Sequence, residues 1–186
     1  MKNPDKINTR EYSDEELVRG CVRQERAYQK LLYYKFASKM YGICLSFVGD
    51  RELAQDILQD GFIKVFNFLK TFDMNGSLEG WIRKTMVNTS IDYYRKKAKL
   101  QQYIVSDSIF QDEEIPEEIL DRIQTEEILN KVSELPEGAR LIFNLYAVEG
   151  YSHKEIAEML NISIGTSKSQ LSRAKSLLKS WLMHNT

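Results

Sequence analysis

The sequence predicts an all-α protein of two helical domains joined by an acidic flexible linker, and three observations carry that prediction. Only 9 glycines and 3 prolines interrupt 186 residues. Apolar residues return at three- and four-residue spacing over long stretches, the period of a helix face. The two regions with this spacing are separated by one that loses it and gathers acids. No stretch alternates as a half-buried strand would and no internal repeat is visible, and the composition excludes collagen-like and proline-rich disordered chains.

The first domain is expected over residues 13–98. Ser13-Asp14-Glu15-Glu16 is a capping box: the serine oxygen takes the amide three residues on, and the glutamate returns to the serine amide. Tyr28, Leu31, Leu32, Tyr41, Cys44, Leu45 and Val48 follow with helical spacing. Asp50 is placed to cap the next helix, whose stripe Ala54, Ile57, Leu58, Gly61, Phe62, Val65, Phe66 and Leu69 is almost unbroken. A loop punctuated by Asn75-Gly76 comes next. Ser77 then opens a helix carrying Leu78, Trp81, Ile82, Thr85 and Thr89 on one face and running into Tyr93-Tyr94-Arg95-Lys96-Lys97.

Residues 99–122, with Pro116 and clustered acids, have the composition of a linker. The second domain is expected over residues 123–184. Its pieces are a helix from Ile123 to Glu134, one opened by Pro136 and carrying Leu141, Ile142, Leu145 and Tyr146, and a second capping box, Ser152 to Glu155, before Ile156, Ala157 and Leu160. The last helix is expected from about Thr166 to Leu182.

The formal net charge of -1 conceals blocks. Residues 81–101 carry Arg83, Lys84, Arg95, Lys96, Lys97 and Lys99 against Asp92 alone, and residues 165–186 carry Lys168, Arg173, Lys175 and Lys179 with no acid. Residues 106–127 hold nine acids against Arg122. Such asymmetry points to polyanion contact. Cys21 and Cys44 lack a C-x-x-C spacing and read as reduced, packed thiols. With no apolar signal segment and no run near the ~20 residues of a membrane span, the chain reads as soluble and cytoplasmic.

Ser152 to Leu178 carries the most specific signal. A short capped helix with the small Ala157 at its centre, a turn Asn161-Ile162-Ser163-Ile164, and a longer helix opened by Gly165-Thr166-Ser167-Lys168 have helix-turn-helix spacing. The second helix of that motif enters the major groove, so Thr166, Lys168, Gln170 and Arg173 are candidate base readers. A plain helical hairpin with a solvated basic face is the competing reading. On the 77–97 helix, Lys84, Asn88, Ile91 and Arg95 form one stripe; with Tyr93, Tyr94, Lys96 and Lys97 it combines charge and stacking groups, as single-stranded DNA requires. Trp81 reads as core. Glu52, Asp56 and Asp60 form a row of like charges, unfavourable in isolation. A helical metal-dependent hydrolase could use them, but no Glu-x-x-His accompanies them and both histidines lie outside this domain.

Leu135 to Ser169 resembles the C-terminal DNA-binding domain of the extracytoplasmic-function (ECF) sigma factors of the sigma-70 family. Ala54 to Phe62 resembles the family's polymerase-binding helix, and Gly80-Trp81-Ile82 through Asn88 and Asp92 to Tyr94-Arg95-Lys96 resembles its minus-ten segment. Order and spacing agree over about residues 13–183. The resemblance implies a transcription initiation factor with no cofactor, no metal and no catalysis or small-molecule substrate of its own. Its implied partners are core RNA polymerase, promoter DNA both duplex and melted, and an anti-sigma factor, often membrane-spanning.

It implies polymerase contact at or near Asp56, Asp60, Phe62, Ile63 and Phe66. It implies a flipped promoter base held by Phe72, Asp73, Met74, Asn75, Gly76 and Ser77, with Lys84, Asn88, Arg95 and Lys96 alongside. Thr166, Ser167, Lys168, Gln170, Arg173 and Lys175 would face the minus-thirty-five element. Ser167 replaces a usual apolar residue, loosening packing, and Gln170 replaces a usual basic one. His153 reads as a solvated first-turn residue. The first alternative is an autonomous helix-turn-helix regulator with a sensing N-terminal domain, and the second, from another class, is the helical metal-dependent hydrolase.

Overall fold

The structure, a computed structural model, describes residues 12–100 and 131–184, and these are helix and turn without a strand. Of the linker expected over 99–122 only 99–100 are described, as the end of a helix; the helical piece expected from Ile123 lies outside the described residues up to 130. Seven α-helices have both ends among the described residues: α1 Asp14–Val22, α2 Arg26–Val48, α3 Arg51–Phe68, α4 Leu78–Leu100, α5 Glu137–Phe143, α6 His153–Leu160 and α7 Ile164–His184. Contacts divide the chain into two compact units, Met1–Cys44 with Glu52–Ser90, and Leu45–Arg51 with Ile91–Thr186.

In the first unit, α1 begins as its capping box requires: Glu16 N donates to Ser13 Oγ at 3.2 Å and Ser13 N to Glu16 Oε2 at 2.8 Å. The bonds that the Ser13 amide and hydroxyl donate to it hold the Glu16 carboxyl below its ordinary value. A break between α1 and α2, which the apolar pattern does not announce, turns on Gln24, held at φ 60. Gly20 makes the corner possible, because a Cβ there would stand 2.1 Å from the Tyr28 ring. Lys35 Nζ ties α2 to Asp14 of α1 at 2.8 Å, and Lys39 ties it to Glu79 of α4 at 2.5 Å.

Leu17, Leu32, Phe36, Met40, Ala54, Leu58, Phe62, Val65, Leu69, Ile82 and Met86 are buried, so the expected α3 stripe is the core face, with Phe66 only half-buried at its edge. Each large apolar side chain removed from water here stabilises the fold by about 1.5–3 kcal/mol. At Gly61 a Cβ would lie 2.3 Å from Met86 Sδ, so α3 and α4 approach where glycine leaves room. Cys21 and Cys44 are free and buried, and burial pushes their thiols up to about 11 and about 12.

The second unit is organised around Arg140, a residue the apolar pattern gives no reason to single out. The residue is 8% exposed, and its guanidinium donates to Phe47 O at 2.8 Å, Val48 O at 2.5 Å, Ser133 O at 2.9 Å and Leu135 O at 2.8 Å. The last carbonyls of α2 have no partner within the helix and carry its negative dipole end, so a buried cation satisfies both needs. Tyr94 Oη adds a bond to Phe47 O at 2.8 Å, and burial raises its hydroxyl to about 12.

Two expectations are corrected here. Ile91 and Tyr94 are 2% and 8% exposed and belong to the core instead of the nucleic-acid stripe. Both belong to the second unit, where they are buried.

α5 starts directly after Pro136 and widens over Asn144–Val148 into a π-helical turn. It ends at Gly150, φ 76, with Tyr151 N reaching back to Leu145 O at 2.9 Å. Ser152 and Glu155 close the second capping box, with Ser152 N to Glu155 Oε2 at 2.8 Å. Asn161 at φ 56 and ψ 48 ends α6 in the left-handed conformation, which asparagine tolerates. α7 is four residues longer than expected, since Ile164 and Gly165 before it and Met183 and His184 after it are helical as well.

Candidate nucleic-acid and polymerase interfaces

The helix-turn-helix is built by Ser163, whose Oγ accepts from Thr166 N at 2.9 Å and so caps α7. One side of α7, Ser167, Leu171, Ala174 and Leu178, is buried. Lys168 is exposed, and Thr166, Ser169, Arg173 and Lys175 are half-buried. Thr166, Ser169 and Arg173 step by three and four, so they share a stripe away from the buried side. Ser169, whose Oγ donates to Thr166 O at 3.1 Å, is a member the sequence reading passed over; the same spacing would have found it.

Three expectations change in this unit. Ser167 is 0% exposed and lies on the closed side. It does not loosen the packing, because its Oγ meets His153 Nδ1 at 2.9 Å. His153 is half-buried rather than solvated, its ring stacked on Tyr146 at 4.5 Å and 20°. The Gln170 amide is turned to α5: a Cβ on Gly138 would lie 3.2 Å from Gln170 Oε1.

In the first unit, the loop before α4 is braced by its own polar groups. Asp73 Oδ1 accepts from Asn75 N at 3.1 Å and Nδ2 at 2.9 Å, Gly76 N donates to Asp73 O at 3.0 Å, and Ser77 Oγ caps α4 by accepting from Gly80 N at 3.1 Å. Met74 is left 45% exposed. Phe72 meets Trp81 edge-on at 5.9 Å, so Trp81, expected in the core, is half-buried and joins the loop to α4. Lys84 and Asn88 continue the Trp81 side of the helix and are exposed. Arg95 and Lys96, on the later turns of α4, are exposed as well; Arg95 also bonds Met159 O and lies 3.9 Å from Asp92.

On α3, Asp56 and Asp60 are exposed and Ile63 is 58% exposed on the same side. Phe66 is half-buried. Phe62 is 3% exposed and packs on Tyr33 at 4.7 Å, so it supports this face from beneath and is not itself accessible. Among the described residues no cluster of His, Cys, Asp or Glu has metal-site geometry, and no helix is long and apolar enough to cross a membrane.

Comparison with known proteins gives the family. Residues 32–100 match the family model for sigma-70 region 2, and residues 125–178 that for sigma-70, region 4. The ECF RNA polymerase sigma factor SigM of Bacillus subtilis is 30% identical over 153 residues, 80% of this chain and 91% of that protein. The RNA polymerase sigma-H factor of Pseudomonas aeruginosa is 27% identical over 173 residues, 87% and 90% of the two chains. The solved structure of CnrH in complex with the cytosolic domain of CnrY superposes over 93% of this chain and 99% of that one, with a TM-score of 0.48 at 19% identity.

Regions 2 and 4 in this order define a bipartite transcription initiation factor, which binds core RNA polymerase and promoter DNA. The chain belongs to the ECF group of the sigma-70 family of sigma factors.

Proposed function

We infer that the chain works in the cytoplasm as an alternative sigma factor without catalysis of its own, and that its surfaces divide the work. Asp56, Asp60, Ile63 and the edge of Phe66 dock α3 on a basic surface of core polymerase. The loop Phe72 to Ser77, with Trp81, Lys84 and Asn88, holds the melted minus-ten strand, and Arg95 and Lys96 offer charge to promoter phosphates. Thr166, Lys168, Ser169, Arg173 and Lys175 face the minus-thirty-five duplex; Ser167 and Gln170 shape the helix from its inner sides. The residues between the two DNA-reading segments set the reach between the promoter elements. An anti-sigma factor is the expected antagonist, as the family resemblance implies.

The observation that carries this reading is the Phe72–Trp81 contact at the start of an exposed Lys84–Asn88 face. A rigid loop beside an open aromatic and basic helix side suits an unpaired base, whose extrusion costs a few kcal/mol that contacts must offset. Run-off transcription with purified core polymerase tests it, with and without the chain, on duplex and pre-melted templates. Asn88→Ala should slow initiation on the duplex and be partly rescued on the pre-melted template. Tight binding of a duplex operator with no polymerase present, and no transcription with it, would favour an autonomous regulator.

A further inference from the structure

The helix read as facing the duplex is held on its inner side by a polar clasp. Ala157 of α6 and Leu171, Ala174 and Leu178 of α7 are buried apolar residues. Apolar burial has no preferred direction, so by itself it leaves the rotation of α7 against α6 loosely defined. His153 adds a directional point. It lies four residues before Ala157, on the same side of α6, and its Nδ1 meets Ser167 Oγ at 2.9 Å.

Both ends of this bond are themselves held. The capping box of Ser152 and Glu155 fixes the backbone around His153, and the imidazole is stacked on Tyr146. Tyr146 is the middle residue of the π-helical turn Asn144–Val148, a local widening frequent at functional sites. On the other side, Ser167 N donates to Ser163 O at 3.1 Å, while Ser163 Oγ meets Thr166 N at 2.9 Å and Thr166 Oγ1 at 2.8 Å. Ser167 thus belongs to the same braced first turn as Thr166, to whose carbonyl Ser169 Oγ is bonded. In a helix-turn-helix the N-terminal residues of the second helix are those that reach base edges. A hydrogen bond weakens steeply off its line, so the clasp admits one setting of this turn where an apolar contact admits a range.

We propose that His153 and Ser167 are positioning residues for minus-thirty-five recognition, their bond setting the rotation of α7 and hence the bases that Thr166 and Ser169 reach. The proposal rests on the reading of α7 as the duplex-facing helix. A contact that only stabilises the second unit is the competing role. Stability alone does not call for the pair, since replacing both partners of a buried hydrogen bond by apolar groups of the same shape can be nearly neutral.

The test uses holoenzyme reconstituted from purified core polymerase and the full chain, and selects promoters from a pool with a randomised minus-thirty-five element. Ser167→Ala removes the hydroxyl and keeps a good helix former; His153→Phe keeps a ring against Tyr146 and removes Nδ1. Each should weaken the preference at about one or two base positions roughly tenfold, the worth of one good base match. The double variant should go no further, because both changes break the same bond. A variant that is merely less folded binds every sequence less, in proportion to its folded fraction, and keeps the parental profile. A parental profile in either single variant, with or without such a uniform loss, overturns the proposal, as do shifts that add in the double variant. Arg173→Ala separates the two readings. If it alters selection and the clasp variants do not, the clasp falls and α7 remains the reading helix; if none of the three alters it, the α7 reading falls and the clasp with it.

Discussion

Replacing Arg140 by alanine removes one side chain and one donor from each of four carbonyls, of which Phe47 O alone keeps the Tyr94 hydroxyl. Each bond from a charged donor contributes about 1.5–3 kcal/mol net, so four set an upper limit of roughly 6–12 kcal/mol. Three effects reduce it. The mutant recovers about 2 kcal/mol of arginine rotamer freedom. It no longer buries a guanidinium that has no carboxylate partner among the described residues, and water can enter the vacated space to serve the Phe47 and Ser133 carbonyls. A loss of about 3–5 kcal/mol remains, within the range for breaking a buried charged network. Against a total stability of about 5–15 kcal/mol this brings the second unit near its threshold. Arg140→Lys should fall between, because one ammonium cannot span carbonyls of Phe47, Val48, Ser133 and Leu135 at once. Urea titration of the full chain, followed by helical circular dichroism and tryptophan fluorescence, reads the effect. A loss under about 1 kcal/mol for Arg140→Ala would refute the assignment of Arg140 as the organiser of this unit, as would a lysine variant as stable as the parent.

Asp56→Lys with Asp60→Lys should leave the fold intact, both carboxylates being exposed, yet weaken association with core polymerase by about a hundredfold or more through charge reversal; co-purification at parental yield would count against that face. Lys168→Ala should lower affinity for every minus-thirty-five sequence alike and reduce the salt slope by about 0.9. Gln170→Arg, because the amide faces Gly138, should leave base preference unchanged in selection from a randomised element. Stability should also fall in alkali. Burial raises Cys21 to about 11 and Cys44 and Tyr94 to about 12, so the folded chain keeps protons that the unfolded chain releases. Their contribution is full below the ordinary thiol value of 9.0 and is lost as pH rises towards those folded values; urea midpoints compared at about pH 8 and about pH 10.5 check the sign.

What was legible in the sequence was what is decided within a few residues. Ser13 and Glu16, Ser152 and Glu155, Ser77, and Asn161 at its left-handed turn each act on backbone two to four positions away, and each lies where the pattern puts it. The α3 stripe is legible for the same reason, since the helix period alone selects its buried face. Partners distant in sequence were not. Ile91 carries the same angular position on α4 as Lys84 and Asn88, and nothing local says that the helix will be covered there. Arg140 lies in an apolar run that explains the run and not the arginine; two of its four targets are 92 and 93 positions away. His153 and Ser167 are individually ordinary, and become informative only when the turn between α6 and α7 brings Nδ1 and Oγ together.

One contact bears on how this chain can change over generations. Gly49 has φ 67, and a Cβ there would stand 2.6 Å from both Arg140 Nη1 and Ser133 O. A side chain at 49 therefore collides with the guanidinium and with a carbonyl that the guanidinium serves. Substituting Arg140 first would relieve only the collision with its own side chain, and at the cost of its four bonds. Substituting Gly49 first would displace the arginine before any replacement had formed. Single steps from either end pass through a poorly folded intermediate, so the two positions should drift together or not at all, with asparagine, the residue most tolerant of positive φ, the first side chain able to follow a lost arginine.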